Sequence, residues 1–382
     1  MIVAVEPSAD DLGGGLAVAL RERLGASLRL VGVGGPKLAA QGLRSAFDPS
    51  ALAVVGLFNA VAAYPEVLRR AGQAGSIARV EHPDVAVLID AWGFNLRVAR
   101  ALRAADRGLP LVKYVAPQVW ATRPGRARTL ARTVDKLLTI RSFDTQYFLR
   151  EGLETVFVGN PALNRDFSTA DPMRFRGLIG ASPEAPILLL LPGSRIQEID
   201  RLIPVFDDAV VRVRIGRENL RVVLAVAPGV AERVKKRVGT ARGRVYLVEG
   251  EQNRQDAMRA ATVALACSGT VTTELALAGC PMVVAYKLGP LTGLIVRRLL
   301  RTPYITLFNV AAGSFVAPER TQGDCTGKVL AADLARLLDN ASARVSQIEA
   351  QTAALALMRG GVDDPIAAAA DAVIAAMRPM AA

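Results

Sequence analysis

Short, mostly apolar runs recur along the chain, alternating with turns that bear glycine, proline or aspartate and with apolar residues at helical spacing. In the first half they are Ile2 to Val5, Leu28 to Gly34, Val85 to Ile89, Leu111 to Tyr114, Lys136 to Ile140 and Thr155 to Val158. In the second half they are Ile187 to Leu191, Arg221 to Ala227, Val245 to Val248, Val263 to Ala266, Met282 to Ala285 and Tyr304 to Leu307. Runs of this kind fit strands covered on both faces, as in a parallel sheet. Their alternation with helical stretches predicts an α/β fold class: two doubly wound, Rossmann-like domains facing a central cleft. The loop-like stretch from Asp166 to Ala185, with Pro172 and Pro183, sets the boundary, giving domains over 1–165 and 166–350. Residues 351–382, with the alanine-rich finish from Pro365 to Met377, are expected to be helical and to pack back on the first domain.

Two segments depart from this rhythm by being apolar and then basic: Leu52 to Arg79, with Phe58, Tyr64, Arg69 and Arg70, and Lys287 to Tyr304, with Arg297, Arg298 and Arg301. Each fits an amphipathic helix packed on a sheet, and each equally fits a helix lying on a membrane with its arginines at the phosphates. The net charge of +12 over 382 residues sharpens the question, because it calls for nucleic acid or for an anionic membrane and phosphorylated substrates. Aromatic residues at 5% argue against a platform for stacking single strands, so no nucleic acid is expected. No stretch approaches the apolar length of a membrane span; Leu275 to Tyr286 is broken by Gly279 and Pro281. Met1 to Leu12 carries Glu6, Asp10 and Asp11 in place of a basic and then apolar leader, which predicts a cytoplasmic protein. The 3 cysteines lack metal-ligand spacing and the single histidine, His82, precedes a proline, so neither a metal nor a cofactor is expected.

Candidate chemistry sits where strands run into helices. Ile187 to Glu198 reads as strand, tight loop and helix: Gly193 lets a ligand approach the backbone, Ser194 can donate, and Arg195 can fork onto phosphate oxygens at a helix's positive end. A turn with Gly and Ser also serves as plain connection. A second such loop, Cys267 to Glu274, strengthens the case, since Ser268, Gly269 and Thr270 can present amides and hydroxyls to a diphosphate. Glu274 can accept from ribose hydroxyls, or serve only as an acid near a helix N-terminus. In the first half, Val85 to Ile89 delivers Asp90, Trp92, Gly93 and Asn95 at its carboxyl end, the edge where open α/β sheets bind substrates. Gly13 to Gly15 has the wrong spacing for a dinucleotide fingerprint, and acids crowd that loop.

Taken together these stretches resemble the lipid-A-disaccharide synthase family, inverting glycosyltransferases of GT-B type. The family's GETSGD-x-LG corresponds to Val5 through Gly13, and its YVSPSVWAWR to Tyr114 through Arg123 with Trp120 kept. LLPGSR-x-x-E is intact from Leu190 to Glu198, SGT-x-x-x-E from Ser268 to Glu274 and CPMVV-x-Y from Cys280 to Tyr286; Asn309, Pro318, Glu319 and Gln322 complete the order. The resemblance covers essentially the whole chain. It implies transfer of 2,3-diacylglucosamine from UDP to 2,3-diacylglucosamine 1-phosphate by a peripheral protein on the inner face of the inner membrane, its oligomeric state left open between monomer and homodimer. It also implies a donor site of Ser194, Arg195, Glu198, Ser268, Gly269, Thr270, Glu274, Asn309 and Gln322. The acceptor side would take Ser8, Trp92, Gly93, Asn95, Trp120 and Arg123.

The departures cluster on the acceptor side. The family reads IDAPDFN after the strand and its second aspartate is the proposed general base, whereas here the line is Ile89-Asp90-Ala91-Trp92-Gly93-Phe94-Asn95. Gly93 cannot take a proton. Asp90, Asp10 and Glu6 are the candidates to replace it, Asp90 having the alternative role of capping its loop. VGHP has become Val158 to Pro161 with Asn160, AGR has become Ala312 to Ser314, and PFE has become Ser142 to Asp144. An attenuated enzyme, a transferase with another acceptor, and a binder of UDP-sugar or lipid without the base all fit these changes.

Overall fold

The computed structural model describes residues 1–49, 64–226, 229–231, 234, 245–289, 293 and 298–378. The chain divides into one unit of Met1–Pro161 with Arg359–Ala382 and a second of Ala162–Met358.

The first unit holds a sheet of β1 (Ile2–Val3), β2 (Val31–Val33), β3 (Arg44–Ser45), β4 (Ala86–Ile89), β5 (Leu111–Tyr114), β6 (Lys136–Thr139) and β7 (Glu154–Phe157). Their order is β3-β2-β1-β4-β5-β6-β7 and every pairing is parallel. Helix Trp92–Ala105 buries Phe94, Val98, Ala99 and Leu102 in the same core cluster as Ala71, Ala74 and Ala78 of helix Tyr64–Glu81. On the opposite face, helix Pro7–Leu24 shares its core with Ala369, Ala370 and Val373 of helix Pro365–Ile374. The glycine run lies inside helix Pro7–Leu24, where a Cβ on Gly14 would stand 2.9 Å from Lys37 Cβ. The glycines thus serve close helix packing rather than a ligand.

The second unit repeats the plan with β8 (Ile187–Leu191), β9 (Arg221–Ala225), β10 (Val245–Val248), β11 (Val263–Cys267), β12 (Met282–Tyr286) and β13 (Glu319–Thr321), ordered β10-β9-β8-β11-β12-β13 and parallel throughout. Helix Ile196–Val213 turns Ile199, Leu202, Ile203, Phe206, Val210 and Val213 into the core, the period that its sequence carries. The expected strand over Tyr304 to Leu307 is corrected: Leu307 begins helix Leu307–Ala312, and the sixth strand is the polar β13. The Glu319 carboxylate explains the difference, because it accepts from Ile305 N at 2.8 Å and Thr306 N at 2.7 Å and so holds the segment off the sheet.

In both sheets chain order reverses once, between β1 and β4 and between β8 and β11. Crossovers leave opposite faces at such a point, so the loops beyond the strands' carboxyl ends part and leave room for a ligand.

Candidate active site

In the second unit those loops are Pro192 to Arg195 after β8 and Ser268 to Gly269 after β11. Gly193 has φ +111°, and a Cβ there would come within 2.6 Å of Glu198 Oε2, so the turn requires glycine. Glu198 is buried and faces back along the loop: its carboxylate accepts from Arg195 N at 3.3 Å and Arg195 Nη1 at 2.9 Å. Expected as a donor contact, Glu198 is seen to brace the loop through these two bonds. Ser194 and Arg195 stay exposed at the start of helix Ile196–Val213, where unpaired amides and the helix dipole favour an anion. Across the switch point, Gly269 and Thr270 are exposed at the start of helix Thr270–Leu277, and Ser268 Oγ donates to Ile305 O at 3.3 Å. Burial pushes the Cys267 thiol up to about 12, so it stays protonated and inert in the floor.

The rest of this site is a set of charged supports, most of which the sequence did not reveal. Glu274 accepts from Arg254 Nη1 at 2.7 Å and from Arg165, and both arginines also pair with Glu251. Asn309 is corrected as well: it is fully buried, its Nδ2 donates to Ala317 O and Glu319 Oε1, and its Oδ1 accepts from Val316 N and Ala317 N. No side-chain capacity is left for a ligand. Glu319 gathers four bonds, from Ile305 N, Thr306 N, Thr306 Oγ1 and Asn309 Nδ2, and burial still raises its proton affinity above the ordinary range. Gln322, at φ +48°, is half-buried, with its amide 3.0 Å from where a Cβ on Gly293 would stand.

In the first unit the corresponding loops leave β1 through Glu6 and β4 through Asp90. Asp90 (φ +47°) and Ala91 (φ +39°) form a left-handed pair of non-glycine residues, a conformation held only where the surroundings impose it. The Asp90 carbonyl accepts from Asn95 Nδ2 at 3.0 Å and Lys113 Nζ at 2.5 Å, while its side chain is half-buried. Gly93 is exposed in the first turn of helix Trp92–Ala105, and a Cβ there would meet nothing nearer than Arg97 Nη1 at 3.9 Å. The Trp92 ring lies under the Arg126 guanidinium at 5.2 Å; Ser8 and Arg123 are exposed, Arg123 at φ +54°.

Four other expectations for this edge change. Asp10, a candidate base, is buried, and its carboxylate accepts from Gly35 N and Lys37 N at 2.8 Å and Leu38 N at 3.2 Å, capping helix Pro36–Ala39. Asn95 is buried, its amide spent on Ile89 O and Asp90 O, so it shapes the turn. Trp120 is buried edge-on to Phe143. Asp144 faces no opening: it is fully buried, accepts from Arg141 Nε at 2.7 Å, and burial pushes its carboxyl up to about 6 against the pull of that guanidinium. Among the described residues Trp120 Nε1 and Asp144 Oδ1 meet no partner in full hydrogen-bond geometry, yet the Trp120 N–H lies near enough to the carboxylate to favour its ionised form.

The apolar-basic segments lie only partly within the described residues, which begin again at Tyr64 and omit 290–292 and 294–297. Arg69 and Arg70 both pair with Glu66, at 2.6 Å and 2.7 Å, and Tyr64 and Leu68 are exposed on the same helix. Among the described residues no helix is long and apolar enough to cross a membrane.

A family model described as lipid-A-disaccharide synthetase matches residues 1–371. A lipid-A-disaccharide synthase from Rhodospirillum centenum is 40% identical over 373 residues, covering 98% of this chain and 93% of that protein. One from Paramagnetospirillum magneticum is 38% identical over 375 residues, covering 98% and 96%. Among solved structures, the S. aureus MnaA–UDP co-structure superposes with a TM-score of 0.61 at 14% identity, covering 98% of this chain and 93% of that one. Anabaena HepE in complex with UDP-glucose gives 0.56 at 14% identity, covering 98% of both. At this identity the likeness is one of fold.

Proposed function

From the premise that the chain belongs to the lipid-A-disaccharide synthase family, and so is a glycosyltransferase of lipid A biosynthesis, we propose that it transfers 2,3-diacylglucosamine from UDP to 2,3-diacylglucosamine 1-phosphate with inversion. The observation that carries the donor half is the pair of exposed loops, Ser194–Arg195 and Gly269–Thr270, at one switch point and each opening a helix. Two helix N-termini and a guanidinium suit the two negative charges that build on UDP as it leaves. Glu274, already held by two arginines, accepts from the ribose hydroxyls.

On the acceptor side Asp90 takes the proton. The acceptor hydroxyl attacks the anomeric carbon as the bond to the UDP oxygen breaks, and its proton passes to the Asp90 carboxylate. Asp10 is committed to three backbone amides, whereas Asp90 is half-buried at the carboxyl end of β4, beside the switch point. A positioned base contributes about 10² to 10⁴ in rate. Both substrates are acylated, which supports work at the inner face of the inner membrane, with exposed Tyr64 and Leu68 among the contacts.

The test is UDP release from UDP-2,3-diacylglucosamine in detergent micelles, with and without the acceptor. Acceptor-dependent release with a β-linked product is expected; release that ignores this acceptor but responds to another would overturn the assignment. Flotation with anionic vesicles tests the membrane contact, and a protein that stays at the bottom of the gradient refutes it.

A further inference from the structure

Strand β5 is buried at every position, and one of its four residues is a lysine. Lys113 is 3% exposed, and its Nζ emerges among carbonyls at the carboxyl end of β4 and β5: Asp90 O at 2.5 Å, Tyr114 O at 3.2 Å and Leu88 O at 3.3 Å. Three acceptors match the three protons of an ammonium, and none would be matched by an apolar residue of the same length. Burial pushes Lys113 down to about 8; the charged groups that face it, Asp90 beyond β4 and Glu6 beyond β1, pull the other way. The shortest of its contacts falls on the carbonyl of the strained pair Asp90–Ala91, the same carbonyl that Asn95 Nδ2 reaches. Two donors on one oxygen fix the plane of that peptide, and with it the direction in which the Asp90 side chain leaves the backbone.

We propose that Lys113 is a positioning residue for the transfer: its ammonium, seated on the Asp90 carbonyl, locks the left-handed turn that aims the Asp90 carboxylate. This rests on Asp90 being the base. Lys113 itself exchanges no proton with the substrate. It acts through the bonds that it donates: the neutral amine has lost its charge and has two donors for three carbonyls, so losing a proton from Nζ weakens the hold on the Asp90 carbonyl and slows the chemical step while leaving substrate binding in place.

The experiment follows UDP release at saturating substrates from about pH 6 to about pH 10 for the native protein and for Lys113→Met, which keeps the chain length and removes the donor. The native kcat should fall as pH rises through about 8, where the ammonium is lost. Lys113→Met should show a kcat lower by about tenfold to a hundredfold at pH 7, with KM for both substrates nearly unchanged and the alkaline fall absent. Native kcat and pH profile in Lys113→Met would overturn the proposal, as would a native profile flat across the range. Should the variant fail to fold by circular dichroism, the native profile decides alone. Asp90→Asn separates the two readings. Native turnover in Asp90→Asn removes Asp90 as the base. A silent Asp90→Asn beside a native-like Lys113→Met keeps the base and removes the role of Lys113.

Discussion

Around β8 and β11, acids turn inward and hold loops whose outer faces carry Ser194, Arg195 and Thr270; around β1 and β4, a buried cation and a strained backbone hold a loop whose outer face carries a carboxylate. Both edges come from the same strand order, so the difference lies in what finishes the loops. The inward carboxylates of Glu198 and Glu319 brace their loops through backbone amides and leave Ser194, Arg195, Gly269 and Thr270 exposed on the outer side, which suits a diphosphate. The ammonium of Lys113 ties up backbone carbonyls and leaves an acid free, which suits a proton acceptor. Gly93 lies outside the strained pair Asp90–Ala91, in the first turn of the following helix, where a Cβ would meet nothing nearer than Arg97 Nη1 at 3.9 Å.

The strongest way to break this contrast is to remove an inward acid. Glu319→Ala strips four bonds from the Ile305–Asn309 segment and should cost about 3 kcal/mol in urea unfolding, along with UDP affinity through the Ser268–Ile305 contact. Arg195→Ala should be milder, because that side chain is largely exposed and its ion pair is with Glu198 in the same turn: about tenfold to a hundredfold weaker UDP binding by calorimetry, with a stability loss of no more than about 1 kcal/mol. Gly93→Asp sharpens the acceptor half. The site is open and Arg97 stands nearby, so the variant should fold and raise kcat by up to about tenfold if a second acid helps. A further test concerns pH. Asp144 holds its proton more tightly folded, near 6, than its ordinary value of 3.8, so its penalty is absent in acid and complete above 6. Native stability relative to Asp144→Asn should therefore fall as pH rises from about 4 to about 6, and a constant difference in urea midpoints would remove that assignment.

Much of the fold could be read because parallel strands buried on both faces leave plain apolar runs; Ile187–Leu191 and Val263–Cys267 are buried at every position. The strands that escaped were β3 and β13, exposed or polar edge segments whose place is fixed by pairing rather than by burial. The same division holds at the site. Ser194, Arg195, Gly269 and Thr270 could be placed on turns that open helices because turn chemistry is local, whereas Arg165 and Glu274 meet across 109 positions of sequence. Asn309 and Glu198 were legible as residues but not as supports, since only the fold reveals that Asn309's bonds are spent on Val316, Ala317 and Glu319 and that Glu198 reaches back to Arg195. Lys113 did carry a signal: a lysine inside an otherwise apolar strand is costly to bury and calls for a partner.

The most direct test of the account compares native protein with Asp90→Asn in acceptor-dependent UDP release, with UDP affinity measured on both. The account predicts turnover in the native protein, a fall of about a hundredfold or more in the variant, and equal UDP affinity. Native turnover in Asp90→Asn would contradict it.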